Sequence, residues 1–318
     1  MMGADGVSKP VEVAPGPSVH RQRGQTLVLV ALLLVLFLAF LALVLDLGNA
    51  YSQRRMMQNA ADAGALAGAR ALARDQSQNA VTAAAENYAK SLNGAQLCGT
   101  QVLSTSVVVT VQKTFPTFFG YVIGVPKVTV GAVAEAGFDA TEVFTGLMPM
   151  AVSDEAMAWA RDSKNPIRIW DSDKITVTAD AGWVDIADGQ RGWVDLDGDG
   201  QGGASELAGW IAQGGCDCVV KVNDVLPGAE GVKATLSEFE RWKDKVVYIP
   251  IYDVYRPIDE DQPNKRGYHI VGFAAFLVTG YDSTGKYKYI TGSFVSFTTT
   301  APHWEGPDFG LRVVHLRR

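Results

Sequence analysis

The chain has 318 residues, 47% of them hydrophobic, and a formal net charge of −6 at neutral pH. That length leaves room for more than one small domain, and the acidic balance argues against nucleic acid and against an extended basic face for anionic lipid. Three cysteines are too few for a disulfide scaffold, so the core must be hydrophobic.

Residues 1–23 hold Pro10, Pro15, Pro17 and scattered glycines without apolar periodicity, which predicts a disordered cytoplasmic tail. From Thr26 to Leu45 the sequence reads TLVLVALLLVLFLAFLALVL and carries no charge. About twenty residues at ~1.5 Å each span the ~30 Å hydrocarbon core of a bilayer, so residues 24–46 are expected to form a transmembrane helix. A secretory signal peptide would need a shorter apolar core and a small-residue cleavage site, and Gly48-Asn49-Ala50 is a poor one. Prepilin-type cleavage after Gly24 is the other processing route. Pilin subunits usually carry Glu five residues past that cut, whereas this chain has Leu29, so an uncut anchor is expected. Arg21 and Arg23 stand directly before the span, and Arg54 and Arg55 follow at greater distance. This favours a single-pass protein with its N-terminus in the cytoplasm and its C-terminal body outside.

Asn49 to Arg74 is rich in alanine and free of proline, so the membrane helix is expected to continue outward. Ala60, Gly64, Gly68 and Ala71 recur at spacings that line one face with small residues. Such a face lets another backbone approach closely. The partner is either this chain's own domain or a helix of another subunit. A second helix over Ala80–Leu92 ends at the capping pair Asn93-Gly94. Extended runs follow at Gln101–Lys113 and Lys127–Phe138, with a break around Pro116 that suits the first turn of a short helix.

The run Arg23-Gly24-Gln25, the apolar span, Asp46-Leu47-Gly48, Tyr51, Ala60-Ala61-Asp62-Ala63 and Ala65-Leu66-Ala67-Gly68-Ala69 resembles the N-terminal region of TadE/TadG-like proteins of the tight-adherence (Flp) pilus system. The resemblance covers roughly residues 20–140. It implies an extracytoplasmic, minor pilin-like structural protein without enzymatic activity, whose partners are the lipid bilayer, pilus or secretion-machinery proteins, or further copies of itself. Some members carry a metal-binding Asp-x-Ser-x-Ser motif, and this sequence has none.

Beyond Thr145-Gly146-Leu147-Met148-Pro149 tryptophan, tyrosine and aspartate rise. Strands are expected at Pro166–Trp170, Lys174–Thr178, Val246–Ile251, Tyr268–Thr279 and Tyr287–Thr300, and helices at Leu207–Gln213 and Thr235–Lys243. The whole reads as an α+β fold. Its transmembrane helix extends into a pilin-like helix plus small sheet over 47–144, and a β-rich antiparallel domain follows over 145–318.

Gly182-Trp183-Val184-Asp185 recurs as Gly192-Trp193-Val194-Asp195, and the second copy opens an acidic ladder. Asp195, Asp197, Asp199, the Gln201 carbonyl and Glu206 stand at the spacing of a calcium loop, with Gly200 permitting the turn. Ca2+ binding and an ordinary glycine-rich turn before a helix are the two readings, since Asp-Gly runs also make turns. A calcium-stabilised membrane-anchored adhesin or ligand-binding ectodomain is the alternative function. Cys216-Asp217-Cys218 has the wrong spacing for a zinc knuckle, and a disulfide is the better reading, with Cys98 to Cys216 or Cys218 one pairing open to it that leaves one thiol odd. His269, His303 and His315 are scattered and read as ordinary polar residues. Asp253, Asp259, Glu260 and Asp261 fall between turns and read as a solvated loop. No Walker-type loop, His-Glu-x-x-His or Gly-x-Ser-x-Gly motif occurs.

Overall fold

A computed structural model describes residues 23–163, 165–170, 178–180, 182–186, 191–200, 203–229, 236–258, 266–284 and 288–317. The expected tail apart from Arg23, the strand at Lys174–Thr178 up to its last residue, and Asp259, Glu260 and Asp261 lie outside them. The chain divides into two compact units. One comprises residues up to Gln53 together with Thr114–Thr129, and the other Arg54–Lys113 with Val130–Arg318.

In the first unit the dominant element is the N-terminal part of helix α1 (Arg23–Leu72). Its apolar window has no buried residue, which separates it from the core helix of a water-soluble domain. Among the described residues it is the one helix long and apolar enough to cross a membrane. The rest of this unit is a tip, in which a 3-10 turn at Gly120–Ile123 joins two strand ends.

The second unit begins with a helix-on-sheet layer. The outer part of α1 and α2 (Gln78–Glu86), which runs on as a π-helical turn over Asn87–Leu92, pack on strands β1 (Leu97–Val102), β2 (Ser106–Pro116) and β3 (Lys127–Thr141). Ser77 caps α2, its Oγ accepting from the Ala80 N–H at 3.4 Å. On β2 the alternation decides the packing. Val107, Val109 and Val111 are buried with the alanines of α1 and α2, while Thr110 and Gln112 face out. The extended run expected from Gln101 is in fact two strands. They turn at Leu103, whose N–H donates to the Ser106 carbonyl at 2.8 Å. Pro116 closes β2 instead of opening a helix.

The remaining elements follow in chain order: β4 (Val143–Phe144), β5 (Met150–Ser153), α3 (Asp154–Ser163), β6 (Ile167–Trp170), β7 (Thr178–Asp180), β8 (Trp183–Ile186), β9 (Arg191–Trp193), α4 (Ala204–Gln213), β10 (Val220–Lys221), β11 (Val225–Pro227), β12 (Lys245–Pro257), β13 (Arg266–Asp282), β14 (Tyr289–Val295), β15 (Phe297–Thr299), β16 (His303–Trp304) and β17 (Leu311–Arg317). The helix expected over Thr235–Lys243 is a 3-10 segment, Leu236–Trp242. A nine-stranded sheet runs β7-β8-β6-β14-β13-β12-β5-β9, with β11 also on β13. The long β12–β13 pair buries Ile249, Ile251, Phe273 and Phe276 in the larger core.

The fold is α+β, and its β-rich part is dominated by antiparallel pairs, with the parallel pairs β5–β12, β6–β8 and β15–β17 set among them. Alternation tells which face a residue takes but not the direction of its neighbouring strand. The strand expected over Tyr287–Thr300 breaks at Ser296, and its halves join different sheets. β14 joins the nine-stranded sheet, whereas β15, β16 and β17 complete the β1-β2-β3 sheet. Strands from beyond residue 145 therefore finish the layer begun before it.

A buried cation ties this layer together. Arg312 on β17 is 4% exposed and reaches back to the end of α1, donating to the Ala73 carbonyl and to Asp75 Oδ1, each at 2.8 Å. Its other nitrogens grip Asp308, the shortest contact being Nη2 to Oδ2 at 2.6 Å, and its guanidinium lies 4.5 Å from the centre of the Phe138 ring. Burial pushes the Asp308 carboxyl up. The Arg312 hydrogen bonds and charge and the Gly310 N–H outweigh that and hold it below the ordinary carboxylate value. Asp75 is lowered in the same way. Burial raises it, but the Ser296 hydroxyl and Arg312 outweigh the burial.

Candidate functional site

Two places on the chain hold the residues that the sequence singled out, and a third joins residues that it left apart. The first is α1 itself. Ala60, Gly64, Gly68 and Ala71 are all buried, and the stripe is occupied by this chain's own α2 and β2. A Cβ at Gly64 would stand 3.0 Å from the Ala85 carbonyl oxygen and 3.2 Å from the Ala89 Cβ. At Gly68 it would stand 3.0 Å from Val107 Cγ1. Absence of a side chain at both positions is what lets the elements approach.

Nearer the N-terminus, Asp46 takes up three backbone donors. The N–H groups of Phe118, Phe119 and Gly120 donate to its carboxylate at 2.7, 3.0 and 2.7 Å. These are charge-assisted bonds between groups 72 to 74 residues apart in sequence, formed inside the first unit.

The second place is the acidic loop. Asp195 is 1% exposed and follows β9. Its Oδ1 accepts from the Gly198 N–H at 3.2 Å and its Oδ2 from the Gly200 N–H at 2.8 Å. Gly198 and Gly200 have φ of 71° and 78°, so the loop curls in a conformation that glycine adopts without strain. Asp197 accepts from the Asp199 N–H at 3.2 Å. One oxygen from each of Asp195, Asp197 and Asp199 lies within 4.8 Å of the others. Glu206, in the first turn of α4, has a buried Oε2 without a hydrogen-bond partner. Desolvation, then the charges of Asp197, Asp199 and Asp195, push its carboxyl up. Desolvation and Asp197 raise Asp195 as well. Converging carboxylates of this kind are the hard oxygen donors that calcium takes. Gln201 lies outside the described residues. The first copy of the repeat has a different task, since Asp185 accepts from Arg168 Nε and from Trp170 Nε1, each at 2.8 Å.

The third place was missed in the sequence. β16 and β17 both pair with β3, so His303 and His315 meet Asp139 with donor atoms within 4.8 Å of one another. The imidazole rings stack at 4.2 Å. Arg317 already pairs with Asp139 at 3.2 Å and lies over Gly137, where a Cβ would come within 2.4 Å of its Nε. The carboxylate is thus balanced by a cation from its own sheet. His269 takes Asp253 as its partner, Nδ1 to Oδ1 at 2.7 Å.

Cysteine pairing also differs from expectation. Cys216 and Cys218 are bonded to each other, with Cα atoms 5.2 Å apart, and Cys98 is free. Cys98 sits on β1 beneath α2, in a different core from the pair that follows α4. Burial pushes its thiol up.

Residues 24–71 match the Tad family model, "Putative Flp pilus-assembly TadE/G-like". No curated protein and no solved structure matches the chain. The Tad-like segment covers most of α1, so Asp46, Ala60, Gly64, Gly68 and Ala71 fall inside it. The acidic loop and the Asp139–His303–His315 cluster lie well beyond it.

Proposed function

We propose that the chain is a membrane-anchored, extracytoplasmic component of Flp pilus assembly, minor pilin-like and structural rather than enzymatic. The single observation that carries this is the coincidence of the Tad match with α1, whose lipid-length apolar stretch is not buried by the chain. Arg21 and Arg23 before the stretch favour a cytoplasmic N-terminus. Its partners on this reading are the bilayer and either pilus or secretion-machinery proteins or further copies of the chain. An alkaline phosphatase reporter fused after Arg318 is expected to be active only outside the cytoplasm, and protease added to intact spheroplasts is expected to digest the body. A protected body would overturn both topology and pilus role. Localisation that is unchanged when the pilus machinery is deleted would overturn the role alone.

A second reading is favoured by the buried, unpartnered Glu206 oxygen beside three converging aspartates. On this reading Asp195, Asp197, Asp199 and Glu206 hold calcium and stabilise an adhesive ectodomain. Affinity on the order of 10⁻⁴–10⁻³ M suffices outside a cell. At tenfold excess over Kd, binding to the folded state adds about 1.4 kcal/mol. The whole chain in detergent is expected to melt higher in calcium than in chelator. Asp195→Asn combined with Glu206→Gln is expected to erase the difference. Identical melting of the unaltered chain in calcium and chelator would leave the loop as a turn.

A further inference from the structure

Between Lys113 and Lys127 the chain carries no charge and reads TFPTFFGYVIGVP. At its tip Tyr121 is 74% exposed, Val122 83% and Ile123 78%, and Phe118 and Phe119 are exposed beside them. A contiguous apolar patch at a loop tip marks a surface that something else covers. Much of the backbone of this tip is bonded within the first unit. The Thr117 N–H donates to Pro126, Val122 to Phe119, Gly124 to Tyr121 and Val125 to Gly120, at 2.8–3.2 Å. The amides of Phe118, Phe119 and Gly120 donate to Asp46. Gly120 leaves no room for a side chain, because a Cβ would lie 2.7 Å from the Val125 carbonyl oxygen.

We propose that Phe118–Ile123 sits in the interfacial layer of the bilayer that α1 spans, held at that depth by Asp46. The proposal rests on the membrane-anchored reading of α1. Asp46 is the first charge after the uncharged run Thr26–Leu45, and twenty residues at ~1.5 Å each place it at the edge of the ~30 Å hydrocarbon core. Three hydrogen bonds to that carboxylate bring the tip to the same level. Chain nearing the hydrocarbon gains from bonded backbone donors, and seven of the tip's N–H groups, from Thr117 to Val125, are bonded internally or to Asp46. Aromatic side chains such as Tyr121 and Phe118 favour the membrane–water boundary, and the flanking Lys113 and Lys127 suit headgroup phosphates. A pilus protein or a second copy would need none of this coincidence with the end of the span.

The test uses the full chain in vesicles of phosphatidylcholine and phosphatidylglycerol. A nitroxide is attached at Val122→Cys or, separately, at Val35→Cys, each with Cys98→Ser. Collisions with oxygen and with a water-soluble nickel chelate report depth. At residue 122 oxygen collisions are expected to exceed nickel collisions severalfold, with a shallower depth than at residue 35. Asp46→Ala is expected to return residue 122 to nickel access while residue 35 keeps its depth. Free nickel access at 122 with 35 deep in lipid would overturn the interfacial tip and leave the anchor standing. Water access at 35 would overturn both. Low collision with both reagents at 122 would place the tip against protein, and an unchanged depth in Asp46→Ala would remove Asp46 from its role. Either result overturns the proposal.

Discussion

Replacing Arg312 with methionine is expected to lower the stability of the second unit by about 2–4 kcal/mol. The side chain is buried, and its loss strands the Ala73 carbonyl and the carboxylates of Asp75 and Asp308 while removing a stacked contact from Phe138. The figure stays below the largest values for broken buried pairs because Asp75 and Asp308 both reach water, which screens what is left behind. Arg312→Lys keeps the charge and loses the two-pronged grip on Asp308, so it should fall between the two. The effect depends on pH in a definite direction. Asp308 and Asp75 are held below the unfolded carboxylate value of ~3.9, so their stabilisation is fully present above that value and is lost as pH falls through their folded values. Urea unfolding of the detergent-solubilised chain at pH 7 and pH 3 reads this out. The unaltered chain should lose more stability on acidification than Arg312→Met. Equal losses would mean that Arg312 carries no linkage to these carboxylates.

Gly64→Leu and Gly68→Leu are expected to cost roughly 1–3 kcal/mol through overpacking, with Gly64 at the upper end. The atom nearest a new Cβ at Gly64 is the Ala85 carbonyl oxygen, fixed in α2, whereas at Gly68 it is the Val107 side chain, which has slightly more freedom. Because α2 and β2 fill the stripe, both variants should melt lower while chemical crosslinking in the membrane gives the same oligomers. Lost oligomers with unchanged melting would show instead that the stripe meets another subunit.

The legible parts of this molecule are those in which one local pattern decides. The apolar run, the small-residue stripe and the Val107–Val109–Val111 alternation each follow from side-chain period alone. The helix α3 was missed although Ser153 signals its start, its Oγ accepting from the Ala156 N–H at 3.2 Å. The flanking Met150 to Val152 and Ala156 to Met157 read as one apolar patch without period. What could not be read depends on distant pairing. Asp46 is a lone acid in sequence, and its partners lie over seventy residues away. His303 and His315 look scattered until two strands flank β3. A bridge from Cys98 to Cys216 or Cys218 is open in the sequence, because nothing local shows that β1 packs in the other core. The acidic ladder is local in sequence, and the loop that curls on itself brings one oxygen each of Asp195, Asp197 and Asp199 within 4.8 Å of the others.

Closure of the first sheet by β15 and β17 has a consequence for the order of biosynthesis. Strands β1 to β3 leave the ribosome well before Leu311–Arg317, yet β3 is paired along Glu135–Ala140 by β17. Until those residues emerge, the β3 edge is an open row of donors and acceptors, the kind of edge that pairs with the wrong strand. A chain of this design completes its earliest layer last, after some 170 further residues have been made. Truncation before residue 311 should therefore damage the region nearest the N-terminus, leaving an aggregation-prone edge rather than a shortened but otherwise intact body.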